Sequence, residues 1–372
     1  MKHVVMIIAN SPNPSYFKWF AELNHKEKAC KLSFVFLHTE TPALCEIVKD
    51  YGVESHVIYF NTYISKPLQY IKMVVKLFFL FKKIKPDVVQ TNLFDDTLPG
   101  MLAAKLAGVK KRVITKQDTG YHVNYAPWVV KYDRFNNRNA THLIAVSEES
   151  KEFILKHEGV DLSKISMIHH GVDEQFITSA TSSQIELIKN KFNLAGKTVV
   201  GTVARYIPLK GYADLIEAAS LLVDEYPDIL ILGVGYGAQL EELRSKIKEK
   251  KLENNFVLTD LLDYELMPAV YQCMDIYVHA AQIEPFGFVL PEAMFNKKPI
   301  VTTRVGAARD ALVHKESAYL INYNAPEEIA NGIRYILNNN KGQEMAIKGY
   351  NLAKAHFARE NMWNNYKTIF LN

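Results

Sequence analysis

The chain has 372 residues, of which 48% are hydrophobic and 23% are charged, and its formal net charge is +4. These proportions exclude a disordered chain, a coiled coil and a protein that crosses the membrane many times. A chain of this length suggests about two domains, and so small a positive charge does not indicate a nucleic-acid groove.

Two features of the sequence favour a cytoplasmic protein. The first apolar run, residues 4–9, leads into a proline-rich turn at 10–14 and therefore predicts a strand, not a signal peptide. The three cysteines, Cys30, Cys45 and Cys273, are odd in number and lack CxxC spacing. They favour neither a disulfide framework nor a cysteine-based zinc site, so a reducing cytoplasm fits best.

Short apolar runs rich in Val and Ile recur along the chain, and longer segments with helical periodicity separate them. This alternation is typical of parallel strands covered by helices on both faces of a sheet. Twelve such strands fit two doubly wound, Rossmann-like α/β domains better than one. The predicted strands are 3–9, 32–37, 56–60, 87–89, 112–115, 142–146, 165–168, 198–203, 229–232, 255–258, 275–279 and 299–302.

A polar run at 178–183 follows the last predicted strand of the first half and indicates a domain boundary. We therefore predict an N-terminal domain over 1–178 and a C-terminal domain over 179–355. The terminal segment 356–372 is helical in pattern and carries aromatic residues. We expect this tail to pack back on the N-terminal domain.

Residues 55–86 contain no acidic residue, and six lysines flank an apolar core in this segment. Its longest uninterrupted apolar run has five residues, too few to span a bilayer. We favour an ordinary crossover helix, which two parallel strands require here in any case. The alternative is a basic amphipathic helix that lies on an anionic membrane through residues 66–86.

The most informative stretch is 284–293, directly after the predicted strand 275–279. A proline and a glycine keep Glu284 in a loop, and Glu292 falls in the first turn of the next helix. The backbone N–H groups at the start of that helix suit a phosphate. The competing interpretation is a surface loop with a helix-stabilising glutamate.

A second loop carries two cations, Arg205 and Lys210, between the strand 198–203 and the next helix. At the carboxyl edge of a parallel sheet, these cations are well placed to neutralise a diphosphate. Loops with Gly235 and Gly306 follow two further strands at the same edge, although a glycine loop alone is a weak signal. Four coincident loops favour a ligand site over a set of surface salt bridges.

Motifs in both halves of the chain form one combination: Arg205 with Lys210-Gly211, Gly233-x-Gly235, Asp275-Ile276, Glu284-x7-Glu292-Ala293, Val305-Gly306, Lys85-Pro86-Asp87-Val88-Val89, residues 103–109, Ala145-Val146-Ser147 and His170-Gly171-Val172-Asp173. In this combination the chain resembles the retaining glycosyltransferases of family 4, which have the GT-B fold. The resemblance covers nearly the whole chain. It implies two Rossmann-like domains that face each other across a cleft, with the nucleotide sugar on the second and the acceptor on the first.

The resemblance also implies a reaction, namely transfer of a sugar from a nucleotide diphosphate sugar to an acceptor hydroxyl, with a UDP-sugar as the expected donor. Arg205 and Lys210 would bind the diphosphate and stabilise the charge that develops on it. Glu292 would accept the ribose hydroxyls, and Glu284 would hold hydroxyls of the donor sugar. The remaining expected donor contacts are Phe286, Gly287, Phe288, Val289 and Gly235.

The implied route retains the anomeric configuration, because the leaving phosphate accepts the acceptor proton on the same face of the sugar. Such a route needs no protein nucleophile. Because cations and a helix start neutralise the diphosphate, we expect neither a metal nor another cofactor. The expected acceptor is a glycan or a lipid-linked molecule of lipopolysaccharide, capsule or another envelope glycan, and the expected location is the cytoplasm or the cytoplasmic face of the membrane.

The first half departs from the family pattern at two places. The first strand leads into Asn10 and a turn without glycine, where the family usually has a glycine-rich turn beside the acceptor. Gln117, followed by Asp118, stands where the family often carries a histidine near the donor sugar. His122 is close enough in sequence to replace that histidine, although a lone loop histidine is more often structural.

Three other functions stay open on the sequence alone. A glycoside hydrolase would use Glu284 and Glu292 as a carboxylate pair, but it would need no cations for a diphosphate. A nucleotide-sugar epimerase of the same fold would bind the same donor without an acceptor. A non-catalytic protein of this fold would bind nucleotide sugar without turnover.

Overall fold

The computed structural model describes the chain apart from residues 10–14, 61–64, 93, 121–122, 124–125 and 340. The described residues form two α/β units. Unit 1 comprises Met1–Gly171 and Arg359–Asn372, and unit 2 comprises Val172–Ala358. Each unit is built on one parallel sheet, so the predicted fold class is confirmed.

The sheet of unit 1 has seven strands: β1 (His3–Ala9), β2 (Lys31–His38), β3 (Glu54–Tyr59), β4 (Val88–Thr91), β5 (Lys111–Lys116), β6 (His142–Ala145) and β7 (Ile165–Met167). They pair in the order β3-β2-β1-β4-β5-β6-β7, and every pair is parallel. The order reverses between β1 and β4, as in doubly wound folds. All seven residues of β1 are buried, because both faces of a central parallel strand are covered.

The helices that alternate with these strands are α1 (Ser15–Glu27), α2 (Leu44–Ile47), α3 (Lys66–Ile84), α4 (Phe94–Ala107), α5 (Val129–Asn139) and α6 (Glu148–His157). Helix α3 connects β3 to β4, and its residues Met73, Leu77 and Phe81, spaced by four, are buried in the core of unit 1. The prediction of a crossover helix is therefore confirmed. Over the described parts of the chain, no helix has the length and apolar character that crossing a membrane requires.

The sheet of unit 2 has six strands: β8 (Thr198–Val203), β9 (Ile229–Val234), β10 (Phe256–Leu258), β11 (Ile276–His279), β12 (Ile300–Thr303) and β13 (Tyr319–Ile321). They pair in parallel in the order β10-β9-β8-β11-β12-β13, which reverses between β8 and β11. The predicted strands do not include β13, an edge strand of three residues.

The helices of unit 2 are α7 (Glu174–Ile177), α8 (Ser182–Lys191), α9 (Tyr212–Ser220), α10 (Leu240–Glu249), α11 (Met267–Gln272), α12 (Val289–Phe295), α13 (Gly306–Ala311), α14 (Pro326–Asn338) and α15 (Gly342–His356). The last helix, α16 (Arg359–Leu371), belongs to unit 1 and buries Trp363 and Tyr366 there. The Tyr366 hydroxyl lies 3.0 Å from that of Tyr16 in α1 and 3.2 Å from Oγ1 of Thr115 in β5. These contacts hold the C-terminal helix on unit 1.

The chain enters unit 2 at Val172, a few residues before the polar run at 178–183. The Val172 amide donates a hydrogen bond to the Phe357 carbonyl at 2.8 Å, and the Thr178 carbonyl accepts one from the Gln272 side chain at 2.8 Å. Residues 172–178 are thus tied to unit 2 before the polar run begins. The separate functions of the two units stay predictions.

Glycines let the loops at the carboxyl edge of the unit 2 sheet approach one another closely. A Cβ atom added at Gly235 would overlap the carbonyl oxygen of Ala204, and one added at Gly211 would overlap that of Ala280. Gly211 also has a φ of +71°, which favours glycine. The loops after β8, β9 and β11 are therefore in backbone contact, and this contact positions the side chains described below.

We predict that Gly211→Ala destabilises unit 2 far more than Gly196→Ala. Both glycines have a φ of +71°, but no atom lies within 4 Å of a Cβ built at Gly196. Gly196→Ala should cost only the left-handed backbone strain, about 1–2 kcal/mol. Gly211→Ala should cost at least about 2 kcal/mol more, because a backbone carbonyl must move. Urea denaturation of both variants measures the difference, and equal losses would contradict the close approach.

Candidate functional site

The sheet order of unit 2 reverses between β8 and β11, and ligands of doubly wound sheets bind outside the carboxyl ends of the strands at such a point. The loop after β8 carries Arg205 and Lys210, and the loop after β11 carries Glu284. A hydrogen bond of 2.8 Å from the Gln282 amide to the Leu209 carbonyl joins these two loops. The predicted cations and the first glutamate therefore lie on adjacent loops at the switch point.

The two cations differ in their surroundings. The Arg205 side chain is exposed, and no carboxylate of the described residues forms a salt bridge with it. The Lys210 side chain is largely buried and forms an ion pair with Oε1 of Glu284. Its ammonium group also lies 3.5 Å from the carbonyl oxygen of Ile283. One cation is thus open to a ligand, and the other is held by a carboxylate.

Glu284 is ionised despite its burial. Burial alone would raise its pKa, but His279 and Lys210 outweigh that effect and lower the pKa to about 2. His279 is the last residue of β11, is 1% exposed, and places Nε2 3.4 Å from Oε1 of Glu284. The Tyr277 hydroxyl lies 3.5 Å from the other ring nitrogen of His279. Glu284 can therefore only accept hydrogen bonds at neutral pH.

Glu292 has the opposite electrostatic character. It lies in the first turn of α12, as predicted, but its side chain points inward and is 7% exposed. The Tyr271 hydroxyl donates a hydrogen bond of 2.6 Å to Oε2 of Glu292. Burial raises the pKa of Glu292 to about 7, although the bond from Tyr271 opposes this rise. The two glutamates of one motif thus have separate partners and opposite pKa shifts.

The segment between the two glutamates is a tight turn into α12. Gly287 has a φ of +78°, and its carbonyl accepts a hydrogen bond of 3.0 Å from the Leu290 amide. The Phe286 ring is buried, and its centroid lies 5.2 Å from that of Phe288. Phe286, Gly287, Phe288 and Val289 therefore reach the edge of the sheet as a backbone turn with its two aromatic rings in contact.

Gly235 lies in the loop after β9 at the same edge of the sheet. Its amide donates a hydrogen bond of 3.4 Å to Oγ1 of Thr259, and the neighbouring Tyr236 carbonyl accepts one of 2.8 Å from the Tyr206 amide. Gly235 also packs against the carbonyl of Ala204, the residue before Arg205, so the two loops are in contact there.

The candidate residues of unit 1 are only partly placed. Asn10 and His122 lie outside the described residues. Gln117 is half-buried and Asp118 is exposed, directly after β5. The Asp118 carboxylate accepts a hydrogen bond from the Gly120 amide, and its carbonyl accepts one of 2.8 Å from the Ser150 hydroxyl. Asp118 thus shapes the turn after β5, and a role for Gln117 toward a sugar stays a prediction.

Sequence reasoning missed His279 and Tyr271. The sequence does contain a signal for His279, because it is a polar residue at the end of an apolar strand on the edge that carries the other candidates. It contains no signal for Tyr271, because Tyr271 lies on α11 and reaches Glu292 only through the tertiary fold.

Comparison with known proteins identifies relatives over most of the chain. Residues 27–176 match the family model described as Glycosyltransferase Family 4, and residues 184–351 match the model described as Glycosyl transferases group 1. An uncharacterized glycosyltransferase of Methanocaldococcus jannaschii is 30% identical over 316 residues, which cover 79% of this chain and 77% of that protein.

Two further matches have more specific names. The Escherichia coli UDP-Gal:alpha-D-GlcNAc-diphosphoundecaprenol alpha-1,3-galactosyltransferase is 25% identical over 70% of this chain and 69% of that protein. The crystal structure of Anabaena HepE in complex with UDP and glucose matches with a TM-score of 0.83 and 19% identity over 99% of both chains. At that identity the structural likeness shows the fold.

We predict that the free energy of unfolding depends on pH through the titration of Glu292. Between the ordinary pKa of 4.5 and the folded-state pKa of about 7, the folded protein holds a proton that the unfolded chain has lost. The free energy of unfolding should therefore fall as the pH rises through this window, by up to about 1.4 kcal/mol per pH unit. Denaturant titrations of the wild type and of Glu292→Gln from about pH 5 to about pH 8 measure this slope. The same slope in both proteins would show that Glu292 titrates normally.

Proposed function

The chain belongs to glycosyltransferase family 4, with the GT-B fold, and from this membership we propose that it transfers a sugar from a UDP-sugar to an acceptor hydroxyl with retention of configuration. The observation that carries the proposal is the pairing of Lys210 with Glu284 at the switch point of unit 2, beside the open cation Arg205. The UDP complex of HepE and the UDP-Gal donor named for the Escherichia coli relative support UDP as the nucleotide.

Donor binding, in this proposal, exchanges the partners of the buried ion pair. The diphosphate replaces Glu284 as the counter-ion of Lys210 and takes Arg205 as a second cation. Hydroxyls of the donor sugar replace Lys210 at Glu284, and His279 remains beside that carboxylate. Each buried charge therefore keeps a partner when the ligand enters, as low-dielectric sites require.

Glu292 is proposed to accept the ribose hydroxyls. Oε2 is held by Tyr271, so the carboxylate is oriented before any nucleotide binds. The turn at 286–289 is proposed to contact the diphosphate through its backbone amides, and the loop of Gly235 is proposed to border it. These assignments give the ribose and diphosphate contacts to unit 2.

Bond cleavage is proposed to depend on charge stabilisation and not on a protein nucleophile. Negative charge builds on the diphosphate as the glycosidic bond breaks, and Arg205 and Lys210 stabilise that charge. The departing phosphate oxygen accepts the proton of the attacking hydroxyl, which enters on the same face of the sugar. In the ligand-free protein Glu284 has a pKa of about 2, so it enters the reaction without a proton to donate.

The proposed acceptor is a glycan or lipid-linked molecule of lipopolysaccharide, capsule or another envelope glycan, bound by unit 1 near Gln117 and Asp118. The lipid diphosphate named for the Escherichia coli relative supports this class. We further propose that residues 66–86 hold the protein on the cytoplasmic face of an anionic membrane. The exposed lysines of α3 support this contact, because each adds about 1 kcal/mol of attraction near such a surface.

We predict that Arg205→Ala and Lys210→Ala each lower kcat/KM by roughly 10- to 1000-fold, because each removes charge stabilisation that grows toward the transition state. Steady-state kinetics with the UDP-sugar that binds best measures the loss. Lys250→Ala is the matched control, since Lys250 pairs with Glu217 at the surface of the same unit. Turnover near that of the wild type in both site variants would contradict the diphosphate assignment.

We predict that calorimetry with UDP and with the UDP-sugar distinguishes the roles of the two glutamates. Glu292→Gln should weaken binding of UDP by about 1–3 kcal/mol, the usual cost of losing a buried hydrogen-bond partner. Glu284→Gln should leave UDP binding unchanged or stronger, because Lys210 loses its competing carboxylate, and should reduce only the added affinity of the sugar. Equal losses of UDP affinity in the two variants would show that the roles are assigned wrongly.

We predict that transfer continues in the presence of EDTA. Among residues 1–9, 15–60, 65–92, 94–120, 123, 126–339 and 341–372, no group of three or more His, Cys, Asp or Glu side chains is arranged to hold a metal ion. The proposed neutralisation by Arg205 and Lys210 needs none. Initial rates are compared before and after chelation; full loss of activity that Mn²⁺ or Mg²⁺ restores would refute the metal-free route.

A further inference from the structure

A groove on unit 1 lies between α3, α4 and α5 and has a volume of about 560 Å³. This volume falls in the range of small-molecule sites. Apolar and aromatic side chains from three helices form its walls. Those used below are Ile71 and Val74 of α3, Leu98 and Leu102 of α4, and Tyr132 and Phe135 of α5.

The surface around the groove is also apolar. Leu68, Ile71, Val75 and Phe79 recur every three or four residues of α3 and are all exposed, so they form one stripe along the helix. Trp128, which lines the groove just before α5, is 56% exposed. Exposed apolar surface of this extent is unusual for a chain that has no partner there.

The exposed charges of α3 next to the apolar stripe are positive. Lys72, Lys76 and Lys83 are exposed and share one side of α3, next to the apolar stripe. Lys66, which lines the groove, forms a salt bridge of 3.1 Å with Asp95 of α4. No acidic residue occurs between residues 55 and 86. If a second copy of the protein packed here through the same surface, its lysines would face these lysines, and like charges repel. A lipid phosphate instead offers a hydrocarbon chain for the apolar groove and a negative charge for the lysines.

We propose that this groove binds the hydrocarbon chain of a lipid phosphate while the lysines of α3 contact the anionic surface in which that lipid lies. The inference rests on the proposed transferase function in one respect, namely that the lipid is the anchor of the acceptor. It goes further by assigning α4 and α5, and not α3 alone, to lipid recognition. The side chains that would hold the hydrocarbon chain have no role in the proposed donor contacts.

Trp128 reports on the groove directly. The chain has three tryptophans, and the other two, Trp19 and Trp363, are buried. The full chain is titrated with farnesyl phosphate and, separately, with phosphatidylcholine vesicles with or without phosphatidylglycerol. We expect farnesyl phosphate to cause a saturable blue shift of the tryptophan fluorescence, and we expect Trp128→Phe to abolish this shift. The protein should bind the vesicles that contain phosphatidylglycerol and should not bind those of phosphatidylcholine only.

Two variants place a carboxylate in the groove at side chains that are already exposed, Ile71→Glu and Phe135→Glu. Each should weaken farnesyl phosphate binding by at least about tenfold, because the new charge loses water when a chain enters. Leu106→Glu is the matched control, since Leu106 is an exposed side chain of α4 outside the groove. Circular dichroism checks that all three variants fold.

The lysines are tested separately, by joint replacement of Lys72, Lys76 and Lys83 with glutamine. This variant should lose vesicle binding and its salt dependence but should keep farnesyl phosphate binding. Vesicle binding without any binding of farnesyl phosphate would overturn the groove in favour of surface adsorption. An equal loss in Leu106→Glu, or a dimer that shields Trp128 in sedimentation, would also overturn it.

UDP binding measured on the same variants separates this inference from the proposed function. The groove variants should bind UDP as the wild type does. A protein that binds farnesyl phosphate but no nucleotide would contradict the proposed function and leave the lipid groove standing, whereas the reverse result would contradict the groove alone.

Discussion

The candidate site of unit 2 is organised around one buried ion pair, between Lys210 and Glu284. Removing two charges from water is costly, and the cost is offset only when each charge keeps a close partner. Here the carboxylate has two, because His279 lies beside it as well. In the proposed exchange of partners, a ligand that offers only a phosphate would leave Glu284 without the lysine, whereas a nucleotide sugar would supply partners for both groups. Under that proposal, the ion pair favours a ligand that carries an anion and hydroxyls together.

The ion pair exists because two loops from different parts of the chain are held at one sheet edge. Neighbouring strands β8 and β11 end there, and the backbone bond from Gln282 to Leu209 joins the loops next to the charged residues. Gly211 permits this approach, since any larger residue would overlap the Ala280 carbonyl. The glycines of this edge are thus structural, and the close approach that they permit determines where the charges lie.

Much of this arrangement follows from local sequence. Short apolar runs predict buried strands, and the charged residues that follow them must lie at the carboxyl edge, so the places of Arg205, Lys210, Glu284 and Glu292 in loops and a first helical turn were predictable. Their electrostatic states were not. Glu284 and Glu292 look alike in sequence, yet their pKa values are about 2 and about 7, because His279 and Lys210 surround one and burial with Tyr271 surrounds the other.

By itself, the sequence determined the fold class, the crossover helix and the loops that carry the candidate site, because each of these depends on residues close together in the chain. The tertiary structure decided the edge strand β13, the pairing of Lys210 with Glu284 and the apolar groove of unit 1. The groove joins helices that begin at Lys66, Phe94 and Val129. No local period encodes such a surface, since it arises only when the order of strands in the sheet sets distant helices side by side.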